Sequence, residues 1–218
     1  MTERAAFAYI QARLQAQHGR RPNKATWRRL NASKSLGHYL ENVRQTPLAP
    51  WVTHFTATSD IHMIERSLRQ DWKAYVARLA SWAPRDWHPA ILWLATLVDL
   101  PLRADDGDTA EAPKTPPLEA WVNALLRLWP TPSRRERQDL ERLLNVLREH
   151  LSLNNPALAH DTVEARYTLI NRLEQLFRQG AQRPVAIFAF LGMTALDIEH
   201  LRAHLVHRCL FPETLDIQ

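Results

Sequence analysis

The sequence predicts an all-α protein, and three observations lead to this class. Apolar residues recur at every third or fourth position in most segments, as they do on one side of a helix. No segment alternates apolar and polar residues between turn signals, as a half-buried strand does. Only 5 glycines occur in 218 residues, which is few for the tight turns of a sheet. We therefore expect a bundle of short helices with two long ones, near residues 60–82 and at residues 184–211.

Three short helices are predicted before residue 47. The first covers residues 3–18. Asn23 and Ser33 are candidate caps of the second and third, because their side chains can accept a hydrogen bond from the first helical turn. Apolar side chains mark one side of each helix: Phe7, Ile10 and Leu14; Trp27 and Leu30; Leu36, Tyr39, Leu40 and Val43.

The clearest helical pattern lies between residues 60 and 82. Its apolar residues are Ile61, Ile64, Leu68, Trp72, Tyr75, Leu79 and Trp82. Pro84 ends this helix, and Asp86 is a candidate cap for a further helix over residues 87–98. That helix is apolar on nearly every side, which predicts burial among other helices.

Residues 101–117 combine proline, glycine and acidic residues with almost no large apolar side chain. This composition predicts a linker or a surface loop. It would separate a basic helical half, residues 1–100, from a second helical half, residues 118–218, unless the two form one continuous domain. The first half holds 14 Lys and Arg against 7 Asp and Glu, whereas the second holds 12 of each. A basic half is compatible with an anionic partner, but its charges form no basic block, so an arginine-rich solvated surface is the favoured interpretation.

Three helices are predicted in the second half before the terminal one. The first runs from residue 118 to Trp129, where a proline follows. Ser133 and Glu136 form a capping box at the start of the second, in which each side chain binds the other residue's backbone N–H. Asp161 can cap the third, which runs to Gln179.

The terminal helix at residues 184–211 changes character along its length. Gly180 suits a left-handed residue after the preceding helix, and Pro184 suits a first helical position. Residues 185–196 are apolar almost all round. Beyond them only a stripe stays apolar, formed by Ile198, Leu201, Leu205 and Cys209. The apolar run of roughly 12 residues is shorter than the roughly 20 that cross a bilayer.

Three histidines of the terminal helix are the candidate metal ligands. His200, His204 and His207 are spaced by four and three residues, and imidazoles at this spacing on one helical face can bind zinc. No His-Glu-x-x-His motif and no cysteine pair accompany them, so a histidine-rich face without metal is the favoured interpretation. We expect no metal, no cofactor and no catalytic residue. No phosphate-binding glycine loop is present, and the single Cys209 lies on the apolar stripe.

The end of the apolar run is followed by Asp197-Ile198-Glu199-His200-Leu201-Arg202. This order resembles the closing helix of the V-type ATP synthase C-subunit family, whose vacuolar ATPase members are called d subunits. Glu199 and His200 depart from the family's pattern, and the other four residues match it in kind. Three amino-terminal segments follow the family's order as well: Tyr9-Ile10-Gln11-Ala12-Arg13-Leu14, Tyr39-Leu40 with Arg44-Gln45-Thr46-Pro47-Leu48, and Ile64-Glu65-Arg66-Ser67-Leu68-Arg69. The chain is shorter than typical members, which are built from three helical bundles.

The resemblance implies a non-catalytic adaptor on the rotor of an ion-translocating ATPase. Family members join the central shaft to the membrane ring, so the implied partners are rotor shaft and membrane-ring subunits. The implied location is cytoplasmic, with peripheral contact at the cytoplasmic membrane face. A single cysteine and an amino terminus without a signal-peptide pattern agree with this expectation.

Five charged residues are the candidate partner contacts: Asp197, Glu199 and Arg202 in the terminal helix, and Arg28 and Arg29 after Trp27. Two alternatives stay open. One is a stand-alone helical scaffold unrelated to an ATPase. The other is a basic nucleic-acid-binding module, because Trp27-Arg28-Arg29 interleaves basic and aromatic residues as base-stacking proteins do. Core packing explains most of the 8 tryptophans better, so nucleic acid is the less favoured partner.

Overall fold

The computed structural model describes residues 3–99, 118–130, 133–153 and 162–211. These ranges contain nine α-helices and no strand, which confirms the all-α class. The helices are α1 (Glu3–His18), α2 (Lys24–Asn31), α3 (Leu36–Arg44), α4 (Ile61–Ala80), α5 (His88–Trp93), α6 (Leu118–Leu128), α7 (Arg134–Leu153), α8 (Thr162–Gln179) and α9 (Val185–Leu210). Segment 101–117 and the predicted cap Asp161 lie outside the described residues.

The two long helices lie where the apolar pattern predicts them. α4 and α9 each differ from the predicted ranges, 60–82 and 184–211, by one or two residues at an end. Four members of the α4 stripe are at most 2% exposed: Ile64, Leu68, Trp72 and Leu79. Trp82 follows the helix and is half-buried. The apolar period therefore predicts both the helix and most of its buried face.

The predicted caps of α2 and α7 are confirmed. The Asn23 side chain accepts a hydrogen bond from the backbone N–H of Thr26 at 2.9 Å. The N–H of Ser133 donates to the Glu136 carboxylate at 2.8 Å, and the N–H of Glu136 donates to the Ser133 hydroxyl at 3.3 Å. Each of these side chains thus satisfies a backbone donor that the first helical turn leaves unpaired.

The cap predicted for α3 is wrong by two residues. Ser35, not Ser33, precedes the helix and accepts from the backbone N–H of His38. The hydroxyl of Ser33 instead accepts from the side-chain amide of Asn42 at 2.8 Å. Serine is a favoured capping residue, so the sequence offers both positions. Ser33 bonds Asn42, and Ser35 is the residue that caps the helix.

The helix predicted over residues 87–98 is broken into a 3-10 turn (Arg85–Trp87), α5 and a second 3-10 turn (Leu94–Asp99). Asp86 does not cap α5, because Trp87 occupies the capping position and makes no side-chain cap bond. Thr96 accounts for the second change. Its hydroxyl donates to the Trp93 carbonyl at 2.7 Å and accepts from the indole N–H of Trp121 at 2.7 Å. Such bonds compete with the regular helical pattern.

The turn between α8 and α9 does not use Gly180 as predicted. Gly180 has no positive φ, and Gln182, with φ 60°, is the left-handed residue. Gly180 is required for close approach instead. A Cβ atom there would lie 2.5 Å from Val185 Cγ1 and 2.7 Å from the Leu176 carbonyl oxygen. The Arg183 guanidinium also fixes this turn by bonding the carboxylate of Asp139 and the Gln179 carbonyl.

The chain forms two compact units. Unit 1 comprises Met1–Leu14 and Lys73–Leu196, and unit 2 comprises Gln15–Trp72 and Asp197–Gln218. These units differ from the predicted halves 1–100 and 118–218, because residues on both sides of the predicted linker contact one another within unit 1. In one such contact the indole N–H of Trp93 donates to the backbone carbonyl of Trp121 at 3.1 Å.

Aromatic side chains fill the core of unit 1. The rings of Trp87, Trp129 and Phe188 contact one another, with centroids 4.5–6.4 Å apart, and Phe7 meets Trp87 edge to face at 5.7 Å. Edge-to-face and offset contacts of this kind are favoured by the ring quadrupoles. All residues of α9 within unit 1 are buried, which confirms the burial predicted for 185–196.

Candidate functional site

All five candidate partner contacts belong to unit 2. Two of them make ion pairs inside the unit. Asp197 is only 5% exposed, and its Oδ2 atom accepts from Nε of Arg21 at 2.8 Å. Arg202 donates through Nε to Oε1 of Glu65 at 2.6 Å. These contacts join α9 to the segment after α1 and to α4, so both side chains have a structural use within the chain.

The third charged residue of α9, Glu199, is half-buried. Whether Asp197, Glu199 and Arg202 also contact a partner stays a prediction. Since Asp197 is buried in its pair with Arg21 and Arg202 is engaged by Glu65, we regard α9 as the less favoured contact surface. Separating the buried pair of Arg21 and Asp197 would leave each charge without compensation, which is costly.

Only two of the three candidate metal ligands come together. The Nε2 atoms of His200 and His204 lie 2.9 Å apart, whereas His207 is exposed and its ring lies 5.1 Å from that of Phe211. Within the described residues, no three His, Cys, Asp or Glu side chains are grouped as they would be around a metal ion. The predicted grouping of three histidines is therefore not formed, since His207 packs along the helix on Phe211.

The two rings of the pair also contact an arginine. Nη1 of Arg208 lies 3.3 Å from Nδ1 of His204 and donates to the His204 carbonyl at 3.0 Å. The pair is therefore engaged on both sides of His204, by Nε2 of His200 and by Arg208.

Arg208 joins the end of α2 to α9. It is 7% exposed, and its guanidinium donates to the carbonyls of Ser33 at 2.6 and 3.0 Å, Asn31 at 3.5 Å and His204 at 3.0 Å. Its Cζ atom lies 4.1 Å from the centroid of the Tyr39 ring. Arg208 thus satisfies the carbonyl of Asn31, the last residue of α2, and that of Ser33 in the segment after it.

Tyr39 lies fully buried beside Arg208, and its ring centroid is 6.0 Å from that of His204. Burial raises the pKa of the Tyr39 phenol, and the Arg208 charge lowers it by a smaller amount. The phenol oxygen has no hydrogen-bond partner in the described part of the chain. The side chain therefore serves unit 2 through its ring rather than through its hydroxyl.

The arrangement of α2 separates its aromatic residue from its arginines. Trp27 is 5% exposed and its ring lies 4.2 Å from that of His200. Arg28 and Arg29 are exposed, and neither has an ion pair or a side-chain hydrogen bond within the described residues. We call these two side chains the basic face of α2.

Cys209 does not resemble a nucleophile. It is half-buried, and its Sγ atom donates to the carbonyl of Ser59 at 3.6 Å. Burial, followed by the nearby charge of Asp60, raises the pKa of the thiol. A raised pKa lowers the fraction of reactive thiolate.

No helix of the described residues is long and apolar enough to cross a membrane. Among known proteins, no family model, no curated protein and no solved structure matches the chain.

Proposed function

We propose that the chain is a non-catalytic helical adaptor, related in role to the rotor component that joins shaft to membrane ring in V-type ATPases. The proposed contact is the basic face of α2, Arg28 and Arg29, and the proposed partners are rotor shaft and membrane-ring subunits. The chain would act at the cytoplasmic side of the membrane as a peripheral protein, without a cofactor or a metal.

The exposure of Arg28 and Arg29 is the observation that supports this proposal best. Two adjacent guanidiniums face solvent without a partner in the described residues, while Trp27 and the Asn23 cap hold the helix that carries them. A rigid helix reduces the backbone entropy that a segment loses on binding. The acidic and amide oxygens of a partner are suitable acceptors for guanidinium donors.

The burial of Trp27 weighs against the nucleic-acid alternative. Stacking of a base requires an aromatic face that is open to solvent. The only aromatic residue between the arginines of this segment packs instead on His200. Arg28 and Arg29 could contact phosphates, but they lack the neighbouring stacking surface that suggested such a function.

Affinity purification from gently solubilised membranes tests the proposal. The tagged protein is isolated, and everything retained is identified by mass spectrometry. We expect V-type rotor and ring subunits in a fixed ratio to the tagged chain, and their loss from the double variant Arg28→Glu, Arg29→Glu. A reproducible set of other proteins would replace the ATPase role by that of a scaffold. Retained nucleic acid that is released by salt would indicate the third function.

A further inference from the structure

A stacked arrangement of arginine and aromatic side chains lies on unit 1. The guanidinium carbon of Arg13 is 3.9 Å from the centroid of the Trp82 ring and 5.5 Å from that of Tyr9. Its Nη1 atom also donates to the Tyr9 hydroxyl at 2.9 Å. Arg13 is exposed, and Tyr9 is 52% exposed. These contacts hold a positive charge against two rings at the surface.

A second pair of the same kind lies on α4. The guanidinium carbon of Arg78 is 5.2 Å from the centroid of the Tyr75 ring. Positions 75, 78 and 82 are three and four residues apart, so they follow one flank of the helix and the turn after it. Arg78 is exposed, whereas Tyr75 and Trp82 are half-buried. We call the five side chains the arginine–aromatic surface: Tyr9, Arg13, Tyr75, Arg78 and Trp82.

Neither arginine of this surface has a carboxylate partner within the described residues. The side-chain bond of Arg13 to Tyr9 uses one of its five N–H groups. A guanidinium stacked on a ring keeps its N–H groups in its own plane, where they can still donate to two oxygens at once. Stacking also restricts the side chain before binding, which lowers the entropic cost of a contact.

We propose that the arginine–aromatic surface binds an acidic segment of a protein partner, with Arg13 and Arg78 each receiving an Asp or Glu carboxylate. The inference rests on the proposed adaptor function and supplies the chemistry of a second contact. Tyr, Trp and Arg are the residues most enriched among those that dominate binding energies at protein interfaces. Both arginines are positive, and a carboxylate matches their charge and their geometry.

The stacking favours a protein over a nucleic acid as the occupant. A base would need an open ring face, and Arg13 already lies over the Trp82 ring at 3.9 Å, while Trp82 and Tyr75 are half-buried. The in-plane donors of Arg13 and Arg78 remain for anionic oxygens that approach from the side. Single-stranded nucleic acid is therefore the competing occupant that the experiment must distinguish.

Fluorescence anisotropy of the full chain with three labelled probes tests the proposal. The probes are a peptide of alternating glutamate and glycine, the same peptide with glutamine, and an oligothymidylate of equal charge. We expect the wild type to bind the glutamate peptide and not the glutamine peptide. The variant Arg13→Glu, Arg78→Glu should bind it about tenfold more weakly or worse.

Two further variants separate the surface from general charge effects. Arg127→Glu with Arg137→Glu changes the net charge equally at exposed positions of unit 1 and should leave peptide binding unchanged. Arg13→Lys with Arg78→Lys keeps the charge but loses the planar fork, and should bind several-fold more weakly than the wild type. This second variant also remains informative if the charge-reversed one fails to fold.

Several results would overturn the proposal. The first is a wild type that does not bind the glutamate peptide, and the second is a wild type that binds the oligothymidylate more tightly than the peptide. The third is a control variant, Arg127→Glu with Arg137→Glu, whose peptide affinity falls as much as that of Arg13→Glu, Arg78→Glu. The fourth is wild-type affinity for the peptide in both variants of Arg13 and Arg78. The test is separable from that of the adaptor function. If rotor and ring subunits are retained equally by the wild type and by Arg13→Glu, Arg78→Glu, the adaptor stands and this surface is wrong.

Discussion

Arg208 is the residue of α9 on which several contacts of unit 2 converge. Its guanidinium reaches the carbonyl end of α2, stacks on Tyr39 and bonds His204, while its side chain is almost fully buried. The sequence indicates little of this, because an arginine in the last turn of a helix normally faces solvent and complements the helix dipole. Its position three residues after Leu205, on the apolar stripe, is the one signal that could have indicated burial.

Replacing Arg208 by Met should destabilise the protein strongly. The methionine keeps part of the apolar stem but leaves the carbonyls of Ser33 and Asn31 without their donor. We expect a loss of about 3 kcal/mol in the free energy of unfolding, measured by urea denaturation. Arg202→Met is the matched control on the same helix and should cost about 1 kcal/mol, because its ion pair is partly exposed. Equal losses in the two variants would contradict the role given to Arg208.

Tyr39 provides a test at high pH. Since burial raises the pKa of this phenol above the unfolded value of about 10, its contribution to stability is full below that pH and is lost as the pH rises further. Tyr39 should therefore ionise only together with unfolding, as followed by absorbance near 295 nm. The absorbance of the unfolded chain is the reference, because all four phenols are accessible to solvent after unfolding.

The variant Tyr39→Phe removes a buried hydroxyl that has no partner in the described residues. We expect its free energy of unfolding at neutral pH to lie within about 0.5 kcal/mol of the wild-type value or above it. The loss of stability at high pH should become smaller. A decrease of about 2 kcal/mol at neutral pH would mean that the hydroxyl is bonded in solution.

At the scale of elements, the sequence predicts helices well and their ends less well. The helical ranges follow from apolar periods, which depend only on the chain's own spacing. The ends depend on side-chain contacts made after folding: the Ser33 hydroxyl is engaged by Asn42, within α3, and the Thr96 hydroxyl by Trp121, in α6. No local pattern contains this information, so the cap at Ser35 and the break after α5 could not be predicted.

The end of α8 also depends on tertiary packing, in this case around Gly180. Gly180→Ala should destabilise the protein by about 2 kcal/mol, because the new Cβ would meet Val185 and the backbone oxygen of Leu176. Gly37→Ala, in the first turn of α3, is the control. Its Cβ would meet only Ala57 at an ordinary 3.4 Å, so it should be neutral or stabilise by up to about 1 kcal/mol. Thermal or urea unfolding of both variants measures the difference, and a neutral Gly180→Ala would remove the close-approach explanation.

At the scale of the whole molecule, the division of the chain could not be predicted from composition. The segment 101–117 suggests a boundary, yet residues on both sides of it form unit 1, and unit 2 combines residues 15–72 with residues from 197 onward. Charge counts along the chain cannot show such long-range contacts. The five candidate partner contacts stay a prediction. Arg28 and Arg29 are exposed as a contact requires, whereas Asp197 and Arg202 are engaged within unit 2.

Direct binding of the purified chain to a purified assembly of V-type membrane ring and shaft tests the central claim most directly. We predict saturable binding with one chain per assembly, measured by biolayer interferometry. Arg28→Glu with Arg29→Glu should weaken it at least about tenfold at an unchanged melting temperature. Arg127→Glu with Arg137→Glu should bind as the wild type does. Absence of binding by the wild type would contradict the adaptor function.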